Sequence, residues 1–159
     1  MNTKNILFII GIILWCLVIF YASSRTSNQS NGKSKKIIYD TVKITTTITN
    51  KLKITNKDLS NDKWINHIVN KLNYPLRKVA HATVYFILSI LIMFCLKSFN
   101  IEPKKALLIT IGICFIYSMT DEFHQLFING RTGRFSDCLI DTLGATIGSI
   151  LTKILITIL

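Results

Sequence analysis

The chain of 159 residues has little proline, glycine or acidic charge, and none of its cysteines forms a C-x-x-C pair. Cys16, Cys95, Cys114 and Cys138 lie in or beside apolar runs, so we interpret them as small hydrophobic side chains, not as zinc ligands or disulfides. The net charge of +11 comes with no basic patch bearing an aromatic platform, which argues against nucleic-acid binding. The absence of an internal repeat or a pair of broken helices disfavours a transporter.

Half of the residues are hydrophobic, and they are concentrated in long runs instead of alternating with polar residues. Such runs are typical of membrane spans, and the basic residues between them lie where cations meet lipid headgroups. We therefore predict an all-α integral membrane protein, a four-transmembrane-helix bundle forming a single domain over 1–159. The predicted spans are 6–22, 79–96, 106–125 and 138–158.

The first run has an alternative interpretation as a cleaved signal peptide. Its apolar stretch is long for that role, and Phe20 occupies the −3 position before Ala22, where a small residue is required. We therefore favour an uncleaved first span.

The hydrophilic segment 23–76 separates spans one and two. Its Ser/Asn/Lys-rich start, Ser23 to Lys36, predicts a mobile stretch, and the run Thr45-Thr46-Thr47 argues against a stable helix further on. From Asn61 to Asn73 we predict a short amphipathic helix on the membrane surface, capped by Ser60 and closed by Pro75. Its apolar face consists of Trp64, Ile65, Ile68, Val69 and Leu72.

The orientation follows from the lysines of the short loop after span two. Lys97, Lys104 and Lys105, together with Lys4, favour the cytoplasm, whereas the lysines of segment 23–76 argue the opposite. We predict that both termini are cytoplasmic, which places 23–76 and 126–136 on the outer face.

Four spans bring the start of span two, the end of span three and the start of span four to the same side of the membrane. Each of these places carries polar residues at helical spacing, and the loop between spans three and four carries Arg131 and Arg134. We predict one ligand-binding site formed by Arg77, His81, Tyr85, Asp121, His124, Gln125, Arg131, Asp137 and Asp141.

The chemistry of these residues suits an anionic ligand. Asp121 and Asp141 are too short to reach water from inside a span, and an unpaired charge there is heavily penalised. Arginines suit a phosphate or anionic headgroup, and His81, Asp121, His124 and Asp141 are candidates for acid–base catalysis. Two histidines among carboxylates could bind a metal, but their spacing matches no strict ligand pattern, so we predict no metal and no cofactor.

The chain resembles the VanZ-like family, small bacterial membrane proteins named for a teicoplanin-resistance protein. The resemblance is strongest over 76–150, and Val84 and Asn129 depart from the family's usual acidic residue and proline. It rests on Arg77-Lys78-x-x-His81-x-x-x-Tyr85, Asp121-x-x-His124-Gln125, Gly130-Arg131, Asp137, Asp141 and Gly144.

This resemblance implies a multi-pass protein of the bacterial cell membrane. Together with the polar residues, it predicts binding of a lipid-linked anionic headgroup or an envelope partner at the outer leaflet, and lower susceptibility to lipid-tailed glycopeptides such as teicoplanin. The alternative is a membrane enzyme that acts on a lipid-linked phosphate or glycan precursor through histidine and aspartate acid–base residues.

Overall fold

The computed structural model describes residues 3–51 and 62–158, and within these ranges the chain consists of α-helices without a strand. Four of the helices are long and apolar enough to cross a membrane, and they cover the four predicted apolar runs. The predicted all-α bundle with four transmembrane helices is therefore confirmed. The helices are α1 (Thr3–Ser23), α2 (Ser27–Lys51), α3 (Asp62–Ser98), α4 (Pro103–Gln125) and α5 (Phe135–Ile158).

Helices α3 and α5 form the most extensive helix pair in the bundle. They approach closely because two glycines of α5 face α3. A Cβ atom built at Gly144 would lie 2.8 Å from the carbonyl carbon of Ala82, and one at Gly148 would lie 2.6 Å from the carbonyl oxygen of Phe86. Small residues at such contacts let the backbones of membrane helices pack directly against each other.

Two hydrogen bonds attach α1 to the rest of the bundle. The indole Nε1 of Trp15 donates to the carbonyl of Val84 at 2.9 Å, and the hydroxyl of Tyr117 donates to the carbonyl of Cys16 at 2.8 Å. These polar tips are satisfied inside an apolar bundle, where an unpaired group would be costly. Between the helices lies a core of Ile19, Tyr85, Leu88, Ile92, Cys114 and Ala145.

Helix α3 is much longer than a membrane span. Its 37 residues extend over about 55 Å, whereas the hydrocarbon core of a bilayer is about 30 Å thick. The N-terminal part of α3 therefore extends beyond the hydrocarbon, and there it packs against α2. Ile38 of α2 lies buried against Ile65 and Val69 of α3.

The predicted end of the amphipathic helix at Pro75 is wrong. The helix is present from residue 62, but it continues through Pro75 into span two without a break. Proline removes one backbone donor and leaves the carbonyl of Lys71 without its helical partner. Lys71 and Tyr74 are exposed, so water can satisfy that carbonyl. The predicted capping residues Ser60 and Asn61 lie outside the described residues.

The apolar stripe of this segment, which we expected to face lipid or the bundle, packs partly against α2. Ile65 and Val69 are buried against α2, while Trp64 and Leu72 remain exposed. The stripe therefore serves in part as a helix–helix contact, and the segment forms the start of a spanning helix instead of a separate surface helix.

The prediction of mobile and non-helical chain between 23 and 52 is wrong for most of that stretch, because α2 is helical from Ser27 to Lys51. The threonine hydroxyls donate back to carbonyls of the preceding turn, such as Thr45 to Thr41 and Thr49 to Thr45. These bonds satisfy the hydroxyls within the helix. Packing on α3 then outweighs the weak intrinsic helix propensity of threonine.

Candidate ligand-binding site

Three polar stripes meet at one end of the bundle, where α3 enters it, α4 ends and α5 begins. His81 of α3 brings its Nδ1 to 3.8 Å from Oδ1 of Asp141 on α5. A ring nitrogen of His81 also lies within 4.8 Å of a carboxylate oxygen of Asp121 on α4. The structure thus brings together polar residues that are far apart in the sequence.

Asp141 is the most deeply buried charged residue of this end, with no exposed surface. Ser118 Oγ donates a hydrogen bond of 2.7 Å to Asp141 Oδ2. Within the described part of the chain, Asp141 Oδ1 has no hydrogen-bond partner. The side chain therefore retains an unsatisfied oxygen on the side facing His81.

Asp121 and Glu122 are also buried, and they share one amide donor. Gln125 Nε2 lies 3.1 Å from Asp121 Oδ2 and 3.3 Å from Glu122 Oε1. The backbone N–H of Arg134 donates to the other oxygen of Glu122 at 2.8 Å. Among residues 3–51 and 62–158, no cationic side chain lies within ion-pair distance of either carboxylate.

The loop between α4 and α5 folds back over these carboxylates. Gly130 has φ of 73°, a left-handed conformation that favours glycine. A Cβ at Gly133 would collide with the carbonyl oxygen of Glu122, so the loop backbone lies directly on α4. The two glycines therefore allow the turn that carries Arg131 to the helix ends.

Arg131 lies half-buried between this loop and the end of α1. Its Nη1 donates to Gln125 Oε1 at 3.3 Å, and its Nε donates to the carbonyl of Arg25 at 3.1 Å. Burial lowers the pKa of the Arg131 guanidinium, and the positive charge of Arg77 lowers it further. The surroundings therefore disfavour the charged form of Arg131, and a bound anion would stabilise that form.

A polar cavity of about 200 Å³ opens between α3, the loop and α5. Four cationic side chains line it, against the single carboxylate of Asp137, which is paired with Lys78. Arg77 Nη1 donates to the neutral oxygen Oδ1 of Asn31 at 2.9 Å. The lining residues include Arg77, Lys78, His81, Gln125, Arg131, Arg134 and Asp137.

A second cavity, of about 320 Å³ and mainly apolar, adjoins the first between α1, α2 and α3. Arg77, His81 and Arg131 line both cavities, so these side chains stand between a cationic space and an apolar one. The other lining residues are Ile19, Ala22, Ser23, Ser30, Ser34, Ile37, Leu76, Ala80, Val84 and Asp121.

Two of the predicted site residues, Tyr85 and His124, lie apart from these cavities and from the contact between His81 and Asp141. Tyr85 is fully buried in the core, with its ring centroid 6.2 Å from that of Tyr117. His124 faces α1, where its Nε2 is 3.2 Å from Ser24 Oγ and its ring lies 4.6 Å from the ring of Phe20. The other seven residues line one or both cavities or, in the case of Asp141, contact His81 directly.

Three residues of this end were not among the predicted site residues: Glu122, Ser118 and Lys78. Glu122 and Ser118 could have been found from helical spacing, because Ser118, Glu122 and Gln125 share the buried face of α4 with Asp121. Lys78 stands in the family motif of the sequence, but its pairing with Asp137 was not predicted, since only the tertiary fold brings the two residues together.

One group of side chains has the composition of a metal site. A ring nitrogen of His81 and a carboxylate oxygen from each of Asp121 and Glu122 lie within 4.8 Å of one another. Glu122 is the member that the sequence did not single out.

The four apolar helices define a multi-pass membrane protein with a polar site at one end of the bundle. A sequence model of the family described as VanZ/LLP1 matches residues 8–156 of the chain. The chain therefore belongs to the VanZ/LLP1 family, which confirms the resemblance found in the sequence. Neither a curated protein nor a solved structure matches it.

Proposed function

We propose that this protein binds a membrane lipid or lipid-linked precursor by its phosphate-bearing headgroup. The observation that carries the proposal is the pair of adjoining cavities, one cationic and one apolar, with Arg77, His81 and Arg131 between them. An amphiphile has the same division, because a charged headgroup is joined to an apolar chain.

The arginines of the cationic cavity support an anion as the occupant. Among the described residues, neither Arg77 nor Arg131 forms an ion pair; each donates to neutral oxygens instead. Guanidinium groups bind phosphate oxygens in a bidentate manner, and such charge-assisted bonds are strong where water is excluded. A phosphate would therefore supply the negative charge that these side chains lack.

The apolar cavity supports a lipid over a free phosphate. Ile19, Ile37, Leu76 and Val84 line it, from helices that reach the membrane or its surface. A chain lying there would bury apolar surface, while its headgroup reached the arginines. By family membership we further propose that the protein acts at the outer leaflet and lowers susceptibility to lipid-tailed glycopeptides.

Native mass spectrometry of the detergent-purified protein, titrated with phosphatidylglycerol or a polyprenyl phosphate, tests this proposal. Losing one charge-assisted contact removes about 1.5–3 kcal/mol, so Arg131→Gln and Arg77→Gln should each weaken lipid binding by about 10- to 100-fold. Arg25→Gln is the matched control, because the side chain of Arg25 rests on Tyr21 and lines neither cavity.

Phosphatidylcholine and inorganic phosphate complete the experiment. The zwitterionic lipid should bind weakly if the headgroup charge matters, and free phosphate should bind weakly if the apolar chain matters. Equal affinity of the Arg131→Gln and Arg25→Gln variants for the anionic lipids would contradict the proposal.

A second candidate function is an enzyme that acts on the same lipid-linked phosphate or glycan. The contact between His81 and Asp141 beside the cationic cavity favours it, because a carboxylate can orient a histidine for acid–base catalysis. The two functions differ in the response to His81→Gln. An enzyme would lose turnover of the lipid by orders of magnitude and still bind it, whereas a binding protein would only lose affinity.

A further inference from the structure

The two buried carboxylates of α4 form no ion pair with a cationic side chain of the described residues. Asp121 and Glu122 are 4% and 6% exposed and lie side by side near the end of a spanning helix. An ionised carboxylate in such surroundings is heavily penalised unless a cation compensates it. Their donors in the described chain are an amide and a backbone N–H, both neutral.

Arg131 forms no ion pair with either carboxylate. Arg131 donates to the amide oxygen of Gln125, and it is the other end of this amide that contacts the two carboxylates. Arg131 is therefore linked to the two carboxylates through a neutral amide and not by a direct charge-assisted bond. Lys78, a further cation of the site, is paired with Asp137.

We propose that His81, Asp121 and Glu122 bind a divalent metal cation. Their potential ligand atoms lie within 4.8 Å of one another, a spacing that one ion in the middle can bridge. One imidazole with two carboxylates suits Mn²⁺ or Zn²⁺ best, because imidazole favours zinc-like ions and carboxylates favour harder ones. Three protein ligands leave coordination positions open for water or for an oxygen of the proposed headgroup.

Asp141 supplies an independent observation that points to the same site. Its side chain is fully buried, its Oδ1 has no hydrogen-bond partner within the described residues, and that oxygen faces Nδ1 of His81 at 3.8 Å. A carboxylate beside the non-ligating nitrogen of a metal-binding histidine fixes the orientation of the ring and strengthens it as a ligand, so the proposal requires Nε2 of His81 to bind the ion and leaves Nδ1 for Asp141. Asp141 would therefore act as a positioning residue.

The cation has a route to the site. His81 lines both cavities, and Asp121 lines the apolar one, so the cluster is reached without unfolding the bundle. The site also joins two helices, because His81 belongs to α3 and both carboxylates belong to α4. Metal binding should therefore stabilise the contact between these helices.

The test uses the full chain in detergent, stripped with a chelator and titrated with Mn²⁺ while electron paramagnetic resonance measures the free ion. We expect one saturable Mn²⁺ per chain, displaced by Zn²⁺, with nitrogen modulation from an imidazole in the pulsed spectrum. The modulation is measured on the unaltered protein, so this result does not depend on the folding of any variant. Binding without imidazole nitrogen, or no saturable binding, would overturn the proposal.

Matched variants locate the ion. His81→Gln and Glu122→Gln should each weaken Mn²⁺ binding by about tenfold or more, and Asp141→Asn by about 10- to 100-fold, the range for a group that orients a ligand. His67→Gln and Glu102→Gln are the controls, because both native side chains are exposed and outside the cluster. Equal losses in controls and cluster variants would show binding by surface carboxylates and refute the site. Because the probe is the metal alone, the result is independent of lipid binding.

Discussion

The contact between α3 and α5 gives the sharpest prediction about stability. In Gly144→Ala the new methyl carbon would lie 2.8 Å and 2.9 Å from the carbonyl carbon and Cα of Ala82. These are backbone atoms of a helix, so they cannot turn aside as a flexible side chain would. Overpacking of this kind costs about 1–3 kcal/mol.

A second glycine allows this cost to be isolated. Replacing glycine with alanine in a helix is worth about 1 kcal/mol in intrinsic propensity, which would partly hide the clash. Gly112 of α4 has no atom within 4 Å of its built Cβ. Gly112→Ala should therefore show the gain in helix propensity without a clash. The difference between the two variants in free energy of unfolding should therefore be about 1–3 kcal/mol.

Unfolding of the purified protein by titration with a denaturing detergent, followed by circular dichroism, measures this difference. The clash should also act on the candidate site, because Ala82 follows His81 and Gly144 lies one turn after Asp141. A helix α3 displaced from α5 would separate His81 from Asp141 and weaken Mn²⁺ binding. Gly144→Ala and Gly112→Ala variants of equal stability would refute the close helix contact.

Two further predictions concern topology and the extramembrane helix pair. In a cysteine-free background, a membrane-impermeant thiol reagent added outside the cell should label cysteine at position 129 and not at position 101. Labelling of position 101 alone would show the opposite orientation to the one predicted. Ile65→Ala should lower the free energy of unfolding by about 2–5 kcal/mol, because Ile65 is 1% exposed between α3 and α2. Ile44→Ala, at a position that is 61% exposed, should have little effect, and an equal loss in both would contradict the packing of α2 on α3.

Much of the candidate site could be predicted because polar residues recur at helical spacing near the ends of apolar runs. With four spans, the stripes of His81, Asp121 and Asp141 must lie on one side of the membrane, and the structure brings them together. The direction in which each side chain points around the helix axis was harder to infer. His124 is adjacent to Gln125 in the sequence, yet it faces α1 and Ser24 instead of the cavities.

Local sequence patterns gave wrong secondary-structure predictions where tertiary contacts stabilise a helix. Pro75 and the threonine run both oppose helix in isolation, yet α3 passes through the proline and α2 includes the threonines. Each unfavourable local preference is worth a few kcal/mol at most, and it is offset by the burial of Ile38 and Ile65 against each other. No window of sequence contains both sides of that contact.

By itself the sequence determined that the chain enters the membrane as four helices, because each apolar run is long enough to cross the bilayer as a helix, and a helix satisfies its backbone hydrogen bonds within itself. It also determined which residue types stand near the membrane boundary. The tertiary structure alone decided that Glu122 joins His81 and Asp121, that Lys78 neutralises Asp137, and that Arg131 is linked to the carboxylates through the amide of Gln125. These pairings depend on the rotation and distance of neighbouring helices, which are determined by packing across the bundle.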